Sequence, residues 1–427
     1  MIKKLVANRV AKNAGWLIGG KIAQMLINLI VGLLTARYLG PSNYGLINYA
    51  LAYTAFFSSF CTLGINSVLV KELIDNPGAE GMILGTSLGL RAASSFLSAV
   101  VIVCIVSIAD MGELTTILVV ALSSIGVVFH VFEVFHFWFQ SKLQSKVTAI
   151  VTLAAYVVTA AYKVILLIAG KSVVWFAFAT SVDYICVAIL LLTAYKKHNG
   201  GKLAFSWGYG KRILKKSCHF ILPSLMVAIY GQTDKIMLKH MISDAEIGYY
   251  ATAVSLCSVW CFVLSAIIDS VYPSIMEANR ADELLFAKRN KQLYAIVFYI
   301  SLFVSLCFTV FGKFAVSIMY GEAYLPAVAP LRIITWYTAF SYLGVARNAW
   351  IVCKDRQKYL IYVYLSSAVG NVVLNFLLIP IWGASGAAVA SLVAQILTTM
   401  VVPFFIKDLK ENSKMMVEAM LLRGIRG

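Results

Sequence analysis

Charge is what this sequence has least of. Asp, Glu, Lys and Arg make up 13% of its 427 residues, while 61% are hydrophobic. A soluble domain is about a quarter charged and about half apolar. A water-soluble core of this length cannot hide such a surplus of apolar surface, so a soluble globular fold is excluded and lipid must take the excess. Acidic residues are scarcer still, 19 against 36 Lys and Arg, for a net charge of +17. So basic a balance often marks nucleic-acid binding. Here, however, Lys and Arg gather at the ends of apolar runs, which is the pattern of membrane topology, and no nucleic acid is expected.

Other absences narrow the function. The eight cysteines form no C-x-x-C and lie mostly inside apolar runs, as buried free thiols do. Cys257 and Cys261 share a helix face, but no His or carboxylate stands beside them, so neither a metal nor a cofactor is expected. There is no G-x-x-x-x-G-K-[ST] phosphate loop, and no His, Cys and carboxylate cluster has a catalytic spacing, which argues against a primary pump and an enzyme. The first apolar run follows Lys3, Lys4, Arg9 and Lys12 and lacks a small-x-small cleavage site, so it reads as a retained span.

What is present is a series of apolar runs of bilayer-spanning length, about 20 residues each. They fall at 14–37, 44–69, 82–109, 114–140, 147–169, 173–195, 217–240, 246–275, 293–316, 327–352, 358–381 and 385–406. Short alternating segments of a β-barrel are missing, so the expectation is an all-α polytopic membrane protein with twelve transmembrane helices. The two tails and the even-numbered connections hold most of the basic residues, among them Lys142, Lys146, the run from Lys196 to Lys216, Arg347, Lys354, Arg356, Lys358, Lys407 and Arg426. The odd-numbered connections hold only Arg37, Lys171, Lys239, Lys313 and Arg332. The positive-inside rule then places both termini in the cytoplasm.

The longest break, KKHNGGKLAFSWGYGKRILKKS from Lys196, interleaves lysines with apolar residues, as a surface-lying amphipathic segment would. It divides the chain into a first six-helix lobe at 1–195, a basic linker at 196–216 and a second lobe at 217–427. The halves echo each other. Gly45 in NYGLINYA and Gly248 in EIGYYATA stand at like places, as do Lys12 and Lys215. Trp138, Lys142 and Lys146 match Trp350, Lys354 and Lys358, and Gly170 matches Gly383. Anchors in the same order point to a duplicated, parallel repeat.

Four stretches carry a family likeness: ARYLGPSNYGLINYALAY at 36–53, DKIMLKHMISDAEIGYYATAVSL at 234–256, GNVVLNFLLIPIWGASGAAVAS at 370–391, and the charged corners at 142–146 and 354–358. The chain resembles the O-antigen, capsule and exopolysaccharide flippases of the multidrug/oligosaccharidyl-lipid/polysaccharide exporter superfamily. That resemblance implies two six-helix lobes around a central cavity in the bacterial inner membrane. It implies carriage of an undecaprenyl-diphosphate-linked oligosaccharide from the cytoplasmic to the periplasmic leaflet by alternating access. It also implies a polysaccharide polymerase and a chain-length regulator as partners. Related members are cation-coupled drug antiporters, which is the main alternative; a membrane glycosyltransferase or polymerase would need larger periplasmic loops.

Charges inside spans cost about 2.5–3.5 kcal/mol on insertion scales and so face a cavity or a partner. Lys21, Arg91, Glu133 and Asp183 lie deep in the first half, whereas Lys163, Asp234 and Lys235 lie nearer the periplasmic ends of their spans. Lys21, Arg91, Lys163 and Lys235 are candidate grips for a diphosphate or acidic sugar. The other reading pairs them with Asp183, Glu133 and Asp234. In FHVFEVFHFWF, His130, Glu133 and His136 recur every third residue. A proton-coupling cluster, a sugar-stacking wall and ordinary packing all fit that pattern, while a metal site does not. Asn371 and Asn375 read as interhelical hydrogen-bonding residues, and Asp234 as either a partner of Lys235 or Lys239 or a cavity residue.

Overall fold

The computed structural model describes residues 2–424, with side chains described from Gly15 onward except Leu17 and Ile18. The side chains of Lys3, Lys4, Arg9 and Lys12, and the whole of Arg426, lie outside the described residues. Among the described residues the secondary structure is helical, without strands. The helices are α1 (Ile2–Thr62), α2 (Asn66–Asp75), α3 (Glu80–Ala109), α4 (Leu114–Phe129), α5 (Val134–Ser141), α6 (Ser145–Ile168), α7 (Val173–Lys197) and α8 (Trp207–Met241). They continue as α9 (Asp244–Ala281), α10 (Glu283–Tyr320), α11 (Val328–Cys353), α12 (Leu360–Trp382), α13 (Ala384–Ile396), α14 (Val402–Phe405) and α15 (Lys410–Met420).

Among the described residues, ten stretches of helix are long and apolar enough to cross a membrane. The first is one uninterrupted run only in name. Gly40 has φ +71° and ψ 171°, a conformation an L side chain rarely adopts, and Pro41 follows it. The chain is therefore two crossings joined at a sharp kink. With α11 added, the twelve expected spans are all present as helices.

Contacts divide the chain into two units, Met1–Leu39 with Leu46–Ala228, and Gly40–Gly45 with Ile229–Gly427. The core of the first gathers α2, α3, α5 and α7 around Leu69, Phe135, Phe139 and Tyr195. Its linker is strapped down rather than loose. The Ala204 amide donates to the Gly81 carbonyl at 3.1 Å, and the Ser206 amide to Thr86 at 3.0 Å. Glu72, 4% exposed, accepts from the Tyr209 hydroxyl at 2.6 Å, from Arg212 at 3.4 Å, and from Lys216. The two cations are about half exposed, so water screens those pairs to below about 1 kcal/mol each. The buried Tyr209 bond is worth about 1 kcal/mol more. Glu72→Gln should therefore leave the spans intact but raise tryptic cleavage at Lys196, Lys197 and Lys202 several-fold. An unchanged cleavage rate would show that the strap is held elsewhere.

The core of the second unit packs α9, α10 and α11 with α15 around Tyr294, Trp350 and Met416. The Asn412 amide donates to the Tyr294 hydroxyl at 2.6 Å, which seats α15 on α10. Here one sequence expectation is corrected. Arg347 is not in a cytoplasmic connection. It lies inside α11, 2% exposed, and donates to the carbonyls of Thr398 at 3.1 Å and Thr399 at 3.4 Å. Those carbonyls belong to a π-helical turn, Leu397–Val401. A wide turn shifts the backbone ladder and leaves carbonyls available to a side-chain donor. Charge counting cannot see such backbone compensation.

The echo between the halves holds in detail. Leu143 and Asp355 both turn through positive φ, 55° and 51°, at corresponding corners. Lys142 pairs with Glu80, and Lys354 with Glu283 at 2.5 Å, each a corner lysine with the first turn of an equivalent helix. Within the second unit the two echoing turns meet. A Cβ on Gly45 would stand 1.8 Å from the Asp244 carbonyl oxygen, and one on Gly248 would stand 2.1 Å from that of Pro41. Each turn glycine thus admits the other turn's backbone.

Candidate functional site

Three polar constellations sit inside the apolar helices. The first lies at a break in the fourth span. His130–Glu133 is a 3-10 turn between α4 and α5, so side chains three apart eclipse rather than fan out. That brings His130 Nε2 to 3.1 Å from Glu133 Oε2. From α3, Arg91 is fully buried. Its Nη1 donates to Asn66 Oδ1 at 3.0 Å. Its Nη2 donates to the His130 carbonyl at 3.2 Å and meets His130 Nδ1 at 3.2 Å. Arg91 therefore reaches Glu133 through His130, not by direct contact. The His130 ring lies edge-on to Tyr184, with centroids 5.2 Å apart. His136 stands apart, its ring against Phe137.

The second constellation is a cavity of about 230 Å³ between α1, α6 and α7, lined by Asn28, Tyr156, Thr159, Lys163, Asp183 and Tyr184 among others. Thr159 donates to Asp183 at 3.3 Å. Lys163 and Asp183 face this space without an ion pair within 4 Å among the described residues. At about 30 Å³ per water, the space suits several waters or a small polar group. Lys21 is exposed and is not part of it.

The third constellation belongs to the second unit and joins four helices. Asp234 of α8 is 2% exposed. It accepts from the Tyr250 hydroxyl of α9, from Ser391 Oγ of α13 at 2.6 Å, and from Asn375 Nδ2 of α12 at 2.5 Å. Asn375 also donates to Asn371 Oδ1 at 3.0 Å, and Asn371 to Ser391 Oγ at 3.4 Å. Every partner of the carboxylate is neutral. Neither Lys235 nor Lys239 is hydrogen-bonded to Asp234 among the described residues: Lys235 donates to Gln232 at 3.3 Å and Lys239 pairs with Asp244 at 2.9 Å. Sequence reading found Asp234, Asn371 and Asn375 but missed Tyr250 and Ser391. Both lie in quoted motifs, EIGYYATA and GASGAAVAS, as polar residues among apolar ones. Nearby, Glu246 accepts from the Ala384 amide at 2.5 Å and caps the start of α13.

The interior of the apolar helices thus holds a buried cation bonded to a histidine, a lysine opposite a carboxylate, and a buried carboxylate among neutral donors. A 20% identical relative, the capsular polysaccharide biosynthesis protein CapF of Staphylococcus aureus, aligns over 413 residues, 93% of this chain and 99% of its own length. The fold is that of the lipid II flippase MurJ in an inward closed conformation, with TM-score 0.72, 13% identity and coverage of 95% of this chain and 91% of that one. It is also that of an inward-facing multidrug resistance MATE transporter of the MOP superfamily, with TM-score 0.68, 13% identity and coverage of 92% and 95%. The family model for polysaccharide biosynthesis proteins matches residues 10–279, and this multi-pass membrane chain belongs to that family.

Proposed function

We propose that the chain flips an undecaprenyl-diphosphate-linked oligosaccharide from the cytoplasmic to the periplasmic leaflet of the bacterial inner membrane by alternating access, with both termini cytoplasmic. On this reading the two units are the two six-helix lobes. The observation that carries it is family membership on a flippase fold: a polysaccharide-biosynthesis chain built like a carrier of lipid-linked sugar. The interior chemistry supports it. Arg91 and Lys163 supply positive charge inside the first unit, and the exposed Lys21 adds to it from α1, which suits a diphosphate or an acidic sugar. Lys235, already bonded to Gln232, is the weakest of the proposed grips. Asp234 is the coupling carboxylate, buried among side chains that can yield to a proton or a cation.

A cation-coupled drug antiporter is the second reading, favoured by the likeness to MATE transporters. The buried Arg91 and the cavity-lining Lys163 of the first unit count against it, because a site for organic cations wants acidic walls with no cation among them. The test is to delete the gene and locate the lipid-linked repeat unit. A flippase predicts loss of surface glycan and repeat units held in the cytoplasmic leaflet. Normal glycan with raised sensitivity to cationic drugs would favour the antiporter.

A further inference from the structure

In this conformation Arg91 cannot grip anything. It is fully buried, and its terminal nitrogens are engaged by Asn66 and His130. If it is to meet an anion, something must let it go. The contact at His130 Nδ1 shows what that is. A guanidinium has only donors. The ring nitrogen 3.2 Å from Arg91 Nη2 must therefore be the bare, accepting nitrogen of a neutral imidazole. The proton then sits on Nε2, where it is donated to Glu133 at 3.1 Å. The contact with Glu133 is thus a hydrogen bond from a neutral ring rather than an ion pair. Arg91 itself selects the tautomer.

We infer that His130 is a proton-operated latch that withholds Arg91 from the anionic cargo and releases it on protonation. A proton taken from water binds Nδ1 and removes the acceptor. The Arg91 Nη2–H···Nδ1 bond breaks, and two cations then stand where one hydrogen bond had been. The imidazolium is held by the Glu133 carboxylate, while Arg91 keeps only Asn66 and a backbone carbonyl. The ring's own contacts are Arg91 from α3, Tyr184 from α7 and Glu133 from its own span; the further titratable groups that act on those three are Cys61 from α1, Tyr156 from α6, Asp183 from α7 and His136. Glu133 is the one positioned to hold the new charge. Its side chain is the more exposed of the two, 34% against 17% for His130. The break in helix geometry at 130–133 is what places Nε2 over Glu133 and turns Nδ1 and the carbonyl toward Arg91.

The latch rests on the flippase reading for its cargo, so two measurements separate them. The first is nitrogen NMR of histidine-labelled protein in lipid bilayers, with His130→Gln identifying the signal among five histidines. As the pH is lowered over a range in which the protein stays folded, His130 should change from a bare Nδ1 with protonated Nε2 to a doubly protonated ring. A protonated Nδ1 at the upper pH, or a ring unchanged at the lower, overturns the latch. The second measurement is binding of undecaprenyl diphosphate over the same range. The amide introduced by His130→Gln would offer Arg91 an oxygen and Glu133 an N–H, copying the neutral ring without its titration. Wild type should bind more tightly at low pH by a factor within about 5 to 150, the usual span for coupled sites. His130→Gln should lose that gain, and Arg91→Ala should bind weakly throughout. A diphosphate titrates near pH 6 itself, so the difference between wild type and His130→Gln is the quantity that counts. An equal gain in both overturns the latch. Failure of undecaprenyl diphosphate to bind at any pH would count against the carrier reading, with the NMR result still deciding the latch.

Discussion

Gly248→Ala should leave little folded protein. The added methyl would stand 2.1 Å from the Pro41 carbonyl oxygen and 2.9 Å from its carbon, where a carbon–oxygen contact needs well over 3 Å. The obstacle is backbone, and that backbone sits beside the Gly40 kink, whose φ of +71° is already narrowly determined. Neither side can turn away as a side chain would. Overpacking costs about 1–3 kcal/mol where neighbours can yield, and here the cost belongs at or above the top of that range. Gly45→Ala, aimed at the Asp244 carbonyl, should do the same. Gly19→Ala, which meets nothing within 4 Å, is the control. Fluorescence-detected gel filtration and a melting curve in detergent will read this. Wild-type yield and Tm for Gly248→Ala would mean that the two turns are not packed against each other.

Asp234→Asn should abolish export while the protein still folds. The amide keeps the size of the carboxylate and one accepting oxygen, and the hydroxyls of Tyr250 and Ser391 can rotate to accept from its nitrogen. The four-helix junction therefore survives with a modest loss of Tm. What vanishes is the negative charge that a proton or cation would neutralise. Export of surface glycan should fall by at least about tenfold, equivalent to about 1.4 kcal/mol, at normal abundance. Asp234→Leu is the contrast. It strands the donors of Tyr250, Ser391 and Asn375 in a buried place at about 1–3 kcal/mol apiece, so it should lose protein as well as export. Normal export by Asp234→Asn would remove Asp234 from any coupling role.

How far these features were legible differs residue by residue. The apolar runs announce the spans because lipid demands internally bonded backbone over a set length. The echo of Gly45 in Gly248 is legible as a repeated turn, since only certain residues make such turns. That the two glycines face each other's backbone is not, because it depends on tertiary approach. The pairing of Lys142 with Glu80 and of Lys354 with Glu283 confirms the repeat through residues far apart in sequence. Arg347 was misplaced because a run-counting argument assigns charge to helix ends, whereas a π turn elsewhere in the chain supplies its acceptors. The triplet His130, Glu133 and His136 reads as a fan of about 120° on an ideal helix. The 3-10 turn instead aligns the first two and leaves the third aside. Asp234 was visible as a lone charge, but its partners come from three other helices. Spacing along one chain reports what shares a helix face, and says little about what another helix brings to it.

The central claim is that this chain moves a lipid-linked sugar between leaflets. The direct measurement reconstitutes purified protein in liposomes carrying an undecaprenyl-diphosphate oligosaccharide and follows, over time, the fraction open to a membrane-impermeant sugar-modifying reagent. The account predicts that wild-type protein exposes the inner-leaflet pool, while Asp234→Asn protein and protein-free liposomes leave it protected. A pool that stays protected with folded wild-type protein under an imposed ion or proton gradient would contradict it, whereas one that opens equally with Asp234→Asn would remove only the coupling role of that carboxylate.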